Sequence, residues 1–399
     1  MKRGKYMEIL FITPSIPNDF SRVRAKNLIK GLSKKHNVTL VSLYNKDSEL
    51  EYLKDIEKYL VKAVVVKKSK LTSIGQALIG LFLPYPIRVT YMYSRKLKKI
   101  LKEENKKNYD LIYIKRVRLA QYAKIFNRNK VYIDMTDSMT KWYDRLRKIS
   151  KSYKKIICEE EYFKLQKYEK KIASQYNTII CSKEDKEYLE KKCKQTLANM
   201  IIIQNTIDTE EWTKNNIKVN KVNNRYNLVF SGMMDYESNI NAVNFYMNNV
   251  HNKLSTNYQI TFVGKNVPDD FKKYISNRSF FTGYVENMKL ELQKYDIYIC
   301  PLIDGAGIKN KILQAASIGL PIVTTPIGVE GMNPEINKYV FLAKESNVGK
   351  LKVEAWKERI NEINSMEEKE LIDRLKEQRK FVINEYDISN QLILFEEKK

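Results

Sequence analysis

Apolar runs and amphipathic segments alternate along the chain in two successive series. Glu8–Pro14 (EILFITP) is a short continuous apolar run, the pattern of a strand buried on both faces. A loop, Ser15–Ser21, and a helical pattern over Arg22–Lys35 follow it. Val38–Leu43 and Ala63–Val66 read as further strands, with a helix over Leu50–Leu60 between them. Leu111–Ile114, Val131–Asp134, Thr178–Ser182 and Ile201–Gln204 extend the set. After Asn205 the series restarts. Asn215–Asn224 is polar and suits a linker, and Tyr226–Ser231 is a new first strand. A helix over Asn239–Val250 precedes strands at Gln259–Gly264, Asp296–Pro301 and Pro321–Thr325, with a helix over Ile308–Ile318 before the last. Lys350–Lys399 reads as charged helices with a break near Tyr386. Strand–helix alternation implies parallel sheets covered on both faces.

The predicted architecture is therefore α/β, with two Rossmann-like domains facing across a cleft. The first spans 1–205, the second 206–370, and helices over 371–399 cross back towards the first. A length of 399 residues suits two domains.

Composition narrows the chemistry. The four cysteines, Cys158, Cys181, Cys193 and Cys300, have no CxxC spacing, and the only histidines are His36 and His251. No metal site is expected. The longest apolar stretch, Leu78–Leu83, is too short to span a bilayer, and no export signal is read at the start. A cytoplasmic protein is expected. The net charge of +25 is one-sided: residues 1–205 hold 46 basic and 21 acidic residues, while 206–399 hold 26 of each. A basic half favours phosphates, anionic lipid or nucleic acid. A general lysine bias is the plainer explanation, but it should raise lysine in both halves.

Ligands of open α/β sheets sit outside the carboxyl ends of the strands. The strongest candidate loop is Pro301-Leu302-Ile303-Asp304-Gly305-Ala306-Gly307, which enters a helix near Ile308. Small residues admit a close ligand, and a helix start presents free N–H groups. Lys309 and Lys311 add cations that oppose the helix dipole unless an anion lies between them. A solvated loop with surface lysines is the plainer reading of the same residues.

Ile297–Leu302, Gly305–Ala315 and Gly319–Thr325 together resemble the donor-site signature of family 4 glycosyltransferases, retaining enzymes of the GT-B fold. The resemblance extends to Phe11–Pro14 with Arg24 and Asn27-Leu28, to Tyr132–Asp137, Asn205–Asp208, Phe281–Val285 and Gly328–Met332. It implies transfer of a sugar from a nucleotide-diphosphate sugar, most simply a UDP-sugar, with no metal required. The acceptor would be a glycan or lipid-linked intermediate of surface polysaccharide. Lys311 would neutralise the diphosphate, reached by amides of Gly305, Ala306, Gly307 and Ile308, with Lys309 and Asn310 beside them. Gly232 would face the diphosphate or acceptor, and Gly283, Tyr284 and Val285 would line the base pocket. Gln314 stands where the family usually has a ribose-binding glutamate, and Met233 and Met234 replace basic residues. In the first domain the family's histidine is missing from Tyr113–Arg116; His36 ends the first helix and reads as structural. Arg24, Arg116 and Asp134 are the expected acceptor contacts, and Asp137 joins Lys311 as a catalytic candidate, or else caps the helix ahead of Ser138–Arg145.

Leu71–Tyr85, after Lys67-Lys68-Ser69-Lys70, suits either an interfacial membrane helix on the inner face of the cell membrane or an ordinary packed helix. Glu169 and the Lys151–Lys171 helix read as solvated faces. Three rivals remain. A basic nucleic-acid-binding protein lacks any matching signature. A nicotinamide oxidoreductase would need glycines after the first strand, and Phe11–Pro17 has none. A catalytically inactive relative is suggested by Gln314 and the missing histidine.

Overall fold

The computed structural model describes residues 6–18, 22–212, 217, 226–305, 307–344 and 353–397. Ala306 and the predicted linker Asn215–Asn224, apart from Ile217, lie outside them. Two compact units emerge: Met1–Gln204 with Leu392–Lys399, and Asn205–Gln391.

The first unit is built on seven strands: β1 (Glu8–Thr13), β2 (Asn37–Tyr44), β3 (Lys62–Lys67), β4 (Leu111–Lys115), β5 (Val131–Thr136), β6 (Asn177–Ile180) and β7 (Met200–Ile202). They pair in parallel in the order β3-β2-β1-β4-β5-β6-β7. The second unit has six: β8 (Tyr226–Ser231), β9 (Tyr258–Val263), β10 (Ser279–Gly283), β11 (Ile297–Cys300), β12 (Ile322–Thr324) and β13 (Phe341–Leu342). Their order is β10-β9-β8-β11-β12-β13, again parallel. Each unit encloses its own apolar core. In both sheets the chain reverses its direction of travel, between β1 and β4 and between β8 and β11, which opens a crevice at the carboxyl edge there.

The continuous apolar runs became central strands because helices cover both faces. β10 and β13 escaped the periodicity: β10 alternates buried and exposed positions at a sheet edge, and β13 has two residues. The helix expected from Ile308 starts later, at Asn310–Ser317, because Lys309 is extended (φ −89°, ψ 104°). The tail breaks at Asp387, between helices Glu368–Tyr386 and Ile388–Glu397.

One expectation is corrected. Glu169 is not solvated. Its carboxylate is buried at the start of the Met139–Ile149 helix, accepting from the Met139 and Thr140 amides (2.9 and 3.2 Å) and from the Thr140 hydroxyl (2.6 Å). Burial pushes its carboxyl up to about 7. The cap of that helix is Ser138, whose hydroxyl accepts from the Lys141 amide, and not Asp137. The Lys70–Phe82 helix, which the sequence leaves open between an interfacial and a packed helix, packs through small residues and not by its apolar face. Ser73 and Gly80 turn inward, with Gly80 pressed against Thr90. Leu71, Ile74, Leu78, Ile79 and Phe82 point outward, and Phe82 is 90% exposed.

At the end of β5 lies a closed ion cluster. Asp134 has no exposed surface. One carboxylate oxygen accepts from Arg24 Nε (3.0 Å), Lys115 Nζ (2.7 Å) and the Tyr113 hydroxyl (2.6 Å), and the other accepts from the Thr136 hydroxyl (3.1 Å). Although burial opposes ionisation, Arg24 and Lys115 hold the carboxyl well below its usual range. Removing one partner of a buried pair strands the other charges. Asp134→Ala is expected to destabilise the first unit by about 3–5 kcal/mol, measured as a shifted urea midpoint; a loss within error of zero would contradict the closed-cluster account.

Candidate functional site

The carboxyl edge of the second sheet gathers four loops. Gly232 follows β8, Gly264 follows β9, Gly283 ends β10, and Asp304–Gly307 follow β11. The first two approach until their backbones touch. A Cβ on Gly264 would lie 1.7 Å from the Gly232 carbonyl oxygen, and both residues have positive φ (154° and 151°). The Gly232 amide donates to Val263 O (3.0 Å), the Gly264 amide to Gly283 O (3.1 Å), and the Met234 amide to Lys265 O (2.9 Å). The loops are thus stitched together by main chain, leaving a floor without side chains.

Lys311 rises in the first turn of the Asn310–Ser317 helix. Its ammonium donates to Asn239 Oδ1 (2.6 Å) and lies 4.0 Å from the centre of the Phe230 ring. No carboxylate among the described residues pairs with it. Burial, with Lys309 nearby, pulls it down to about 8, against the smaller pull of Cys300. Asn239 is itself buried and donates to Met233 O (2.7 Å), so it ties the loop after β8 to this lysine. Lys309 Nζ donates to Gly307 O (2.5 Å), and Asn205 Nδ2 to Ile308 O (2.8 Å), which fixes the entry to the helix. Gly305 and Gly307 take positive φ (126° and 69°), which favours glycine. Two acceptors here are buried without a partner: Asp304 Oδ1 and Asn310 Oδ1. The other Asp304 oxygen accepts from Asn241 Nδ2 (2.5 Å). A cation without a carboxylate at a helix start, with two unfilled acceptors beside it, suits a ligand that is both anionic and hydroxylated.

Around this centre, Tyr284 is 56% exposed beneath the Lys265 ammonium, 4.0 Å from its ring centre, with Val285 half-buried beside it. Gln314 lies one turn beyond Asn310, half-buried. The residues that sequence reasoning missed are Asn239, Asn241, Gly264 and Lys265. The available signal for Asn239 was a polar residue inside the apolar stripe Ile240, Ala242, Val243, Tyr246.

In the first unit the predicted residues fall into two groups. Arg24 and Asp134 lie inside, in the ion cluster. Arg116 and Asp137 lie at the carboxyl edge, 30% exposed and paired at 3.4 Å. The two groups are connected: the Arg116 amide donates to the Asp134 carbonyl (2.7 Å). Arg116 and Thr136 both have positive φ (74° and 69°), strain of the kind that tertiary structure must hold in place. His36 is buried, as a structural residue would be. Among the described residues no group of histidine, cysteine, aspartate or glutamate is placed to hold a metal ion.

Residues 225–361 match the family model described as Glycosyl transferases group 1. A protein of Klebsiella pneumoniae, described as an uncharacterized 44.6 kDa protein in the cps region, is 31% identical over 134 residues. That match covers 30% of this chain and 34% of the relative, so about a third of the relative's length is spanned. Over nearly the whole chain the fold is that of solved glycosyltransferase structures. Anabaena HepE, solved in complex with UDP-glucose, is 13% identical with a TM-score of 0.66, covering 98% of this chain and 99% of that one. WaaG, described as a glycosyltransferase involved in lipopolysaccharide biosynthesis, is 11% identical with a TM-score of 0.65 over 98% and 99%. The chain has the GT-B fold, two Rossmann-like units each built on a parallel sheet.

The contact between Gly232 and Gly264 should tolerate no side chain. Gly264→Ala is expected to destabilise the second unit by about 2–3 kcal/mol. Gly75→Ala, where a Cβ meets nothing within 4 Å, is the control and should be neutral or mildly stabilising. Thermal unfolding of both variants distinguishes them; equal effects would contradict the close approach.

Proposed function

We propose that this chain is a retaining glycosyltransferase of family 4, moving a sugar from a UDP-sugar to a glycan or lipid-linked acceptor. The observation that carries this reading is Lys311, a cation held without a carboxylate beside a glycine-lined helix start. A nucleoside diphosphate supplies the missing anion. The matched family model over 225–361 and a fold shared with a UDP-glucose complex support the same donor class.

In this proposal Lys311 and the amides of Gly305 to Ile308 stabilise the charge that grows on the leaving diphosphate. Gly232 leaves room for it, while Asn310 and Asp304 accept from donor hydroxyls. Gln314 faces the ribose, and Gly283, Tyr284 and Val285 border the base. The acceptor hydroxyl attacks the anomeric carbon on the face the diphosphate leaves. The carbon–oxygen bond to the diphosphate breaks, the new glycosidic bond forms, and the hydroxyl proton passes to the departing phosphate oxygen. No strong protein base is needed, which accommodates the absence of the family's histidine. Arg116 and Asp137 meet the acceptor directly. Arg24 and Asp134 act behind them, by holding the strained Arg116 turn.

The outward apolar stripe of the Lys70–Phe82 helix supports an acceptor at a membrane. Exposed Lys67 and Lys70 flank it, and Lys164 of the Ser152–Gln175 helix donates to Gly80 O and Leu81 O, bringing exposed Phe163 alongside. The one-sided charge of residues 1–205 complements anionic lipid, each basic residue near such a surface adding about 1 kcal/mol. We therefore place the protein at the inner face of the cell membrane, in surface polysaccharide synthesis.

Lys311→Ala should lower turnover by about 10²–10³ with the fold intact. UDP binding to the native chain should take up a proton near pH 8. The lysine, pulled down to about 8 when empty, regains its ordinary pKa beside a phosphate. Calorimetry in buffers of different ionisation heat reads this directly; full activity in the variant would refute the site. Vesicle co-sedimentation should show binding to anionic bilayers, weakened by Leu78→Ser with Phe82→Ser. Equal binding to neutral vesicles, or a dimer in solution that the same substitutions dissolve, would overturn the membrane placement.

A further inference from the structure

The first unit holds a second cation without a partner. Arg118 lies just past the strained Arg116 turn, in the short helix Val117–Ile125 after β4. Its guanidinium, partly buried, makes no hydrogen bond or ion pair with any described residue. Besides burial, the like charges of Arg116, Arg22 and Arg88 act on it, opposed by the smaller pull of the Tyr91 side chain. Lys68 follows directly after β3 and is 5% exposed. Its ammonium has no hydrogen-bond partner; it lies over the Tyr91 ring, 3.6 Å from the centre, and feels the charge of Arg118. Burial and like charge together push Arg118 down to about 9 and Lys68 to about 8. Arg88 is held in place by the Tyr143 hydroxyl (2.7 Å) and stacks over Trp142 at 4.6 Å.

The nearby carboxylates discharge this group only at Arg116 and leave Arg118 and Lys68 without a counter-charge. Asp137 pairs with Arg116, and Glu161 is occupied by the amides of Ile87 and Arg88 (2.7 and 3.1 Å). These side chains follow the ends of β3 and β4 or belong to the Ile87–Tyr91 helix, and Lys68 and Arg118 are close enough for the charge of one to act on the other. Gathering like charges away from water is unfavourable unless an anion joins them. A single carboxylate answers one cation, whereas four cations of which three are arginine forks match the many oxygens of a phosphate or diphosphate. Nucleic acid fits less well, because Lys68 is buried and does not belong to an exposed basic stripe.

We propose that Arg118, Lys68, Arg88 and Arg116 form a phosphoryl-binding site, and that the acceptor therefore carries a phosphate or diphosphate group. The site follows from the first unit alone. Its assignment to the acceptor rests on the transferase reading, and it narrows that reading to anionic acceptors.

The test uses the full chain carrying Lys311→Ala, which removes the other anion grip, titrated calorimetrically with inorganic pyrophosphate. One saturable site is expected, weakened at least about tenfold by Arg118→Gln and by Lys68→Gln. Lys67→Gln makes the same charge change one residue away, at a side chain paired with Asp47, and should leave affinity within about twofold. An alkyl diphosphate should compete for the same site. No saturable binding, or equal effects of the three substitutions, overturns the site; failure of the alkyl diphosphate to compete overturns the acceptor assignment. Arg118→Met should leave the melting temperature of the empty protein unchanged or raise it by a few degrees, since it relieves repulsion. A fall of more than about 5 °C would mark Arg118 as structural instead. None of these measurements needs turnover, so their failure is distinct from failure of the transferase reading.

Discussion

A cation withdrawn from water requires a counter-charge, and this chain meets that requirement in two opposite ways. Around Asp134 a counter-charge is supplied from within: Arg24 and Lys115 share one carboxylate with no exposed surface, which also accepts from Tyr113 and Thr136, and burial pulls Lys115 down to about 7. At Lys311, Arg118 and Lys68 the positions are left open, with neutral partners or none. The closed cluster stabilises its unit in the absence of any ligand. The open positions are unfavourable until an anion arrives, and these three lie at the carboxyl edges of the sheets, the edges at which open α/β sheets generally hold ligands.

Backbone geometry prepares the same edges. The contact of Gly232 with Gly264 and the positive φ of Gly305 and Gly307 remove side chains from the floor near Lys311. In the first unit the Asp134 carbonyl holds the Arg116 amide in a strained turn, so the closed ion cluster supports the open edge beside it. Strain and unpaired charge are both stability deficits, and their coincidence at these loops is the physical basis of the functional reading.

Much of this was readable in one dimension, for a specific reason. Parallel strands covered on both faces appear as unbroken apolar runs, so β1, β4, β5, β8 and β11 announce themselves. Edge strand β10 is half exposed and β13 has two residues, and neither leaves such a trace. Lys311 was legible because glycines and a helix start precede it. Asn239 was not, because its role depends on a lysine 72 positions away. Glu169 looked like one more charge on a lysine-rich helix; only packing against the Met139–Ile149 helix start buried it.

By itself the sequence determined the order of the central strands and the helices between them, the division into two series, the one-sided charge and the glycine-rich loop, because each is a local property of composition or period. The tertiary structure decided which way each face points and which charges meet. The Lys70–Phe82 helix has the period of a core helix, yet small residues at Ser73 and Gly80 let it pack by its other side. Arg24 and Arg118 are both basic residues beside apolar strands; one finds Asp134 and the other finds Arg116, Arg22, Arg88 and Lys68. Periodicity specifies a face and composition a charge, but the partner of either is chosen by residues distant in the chain.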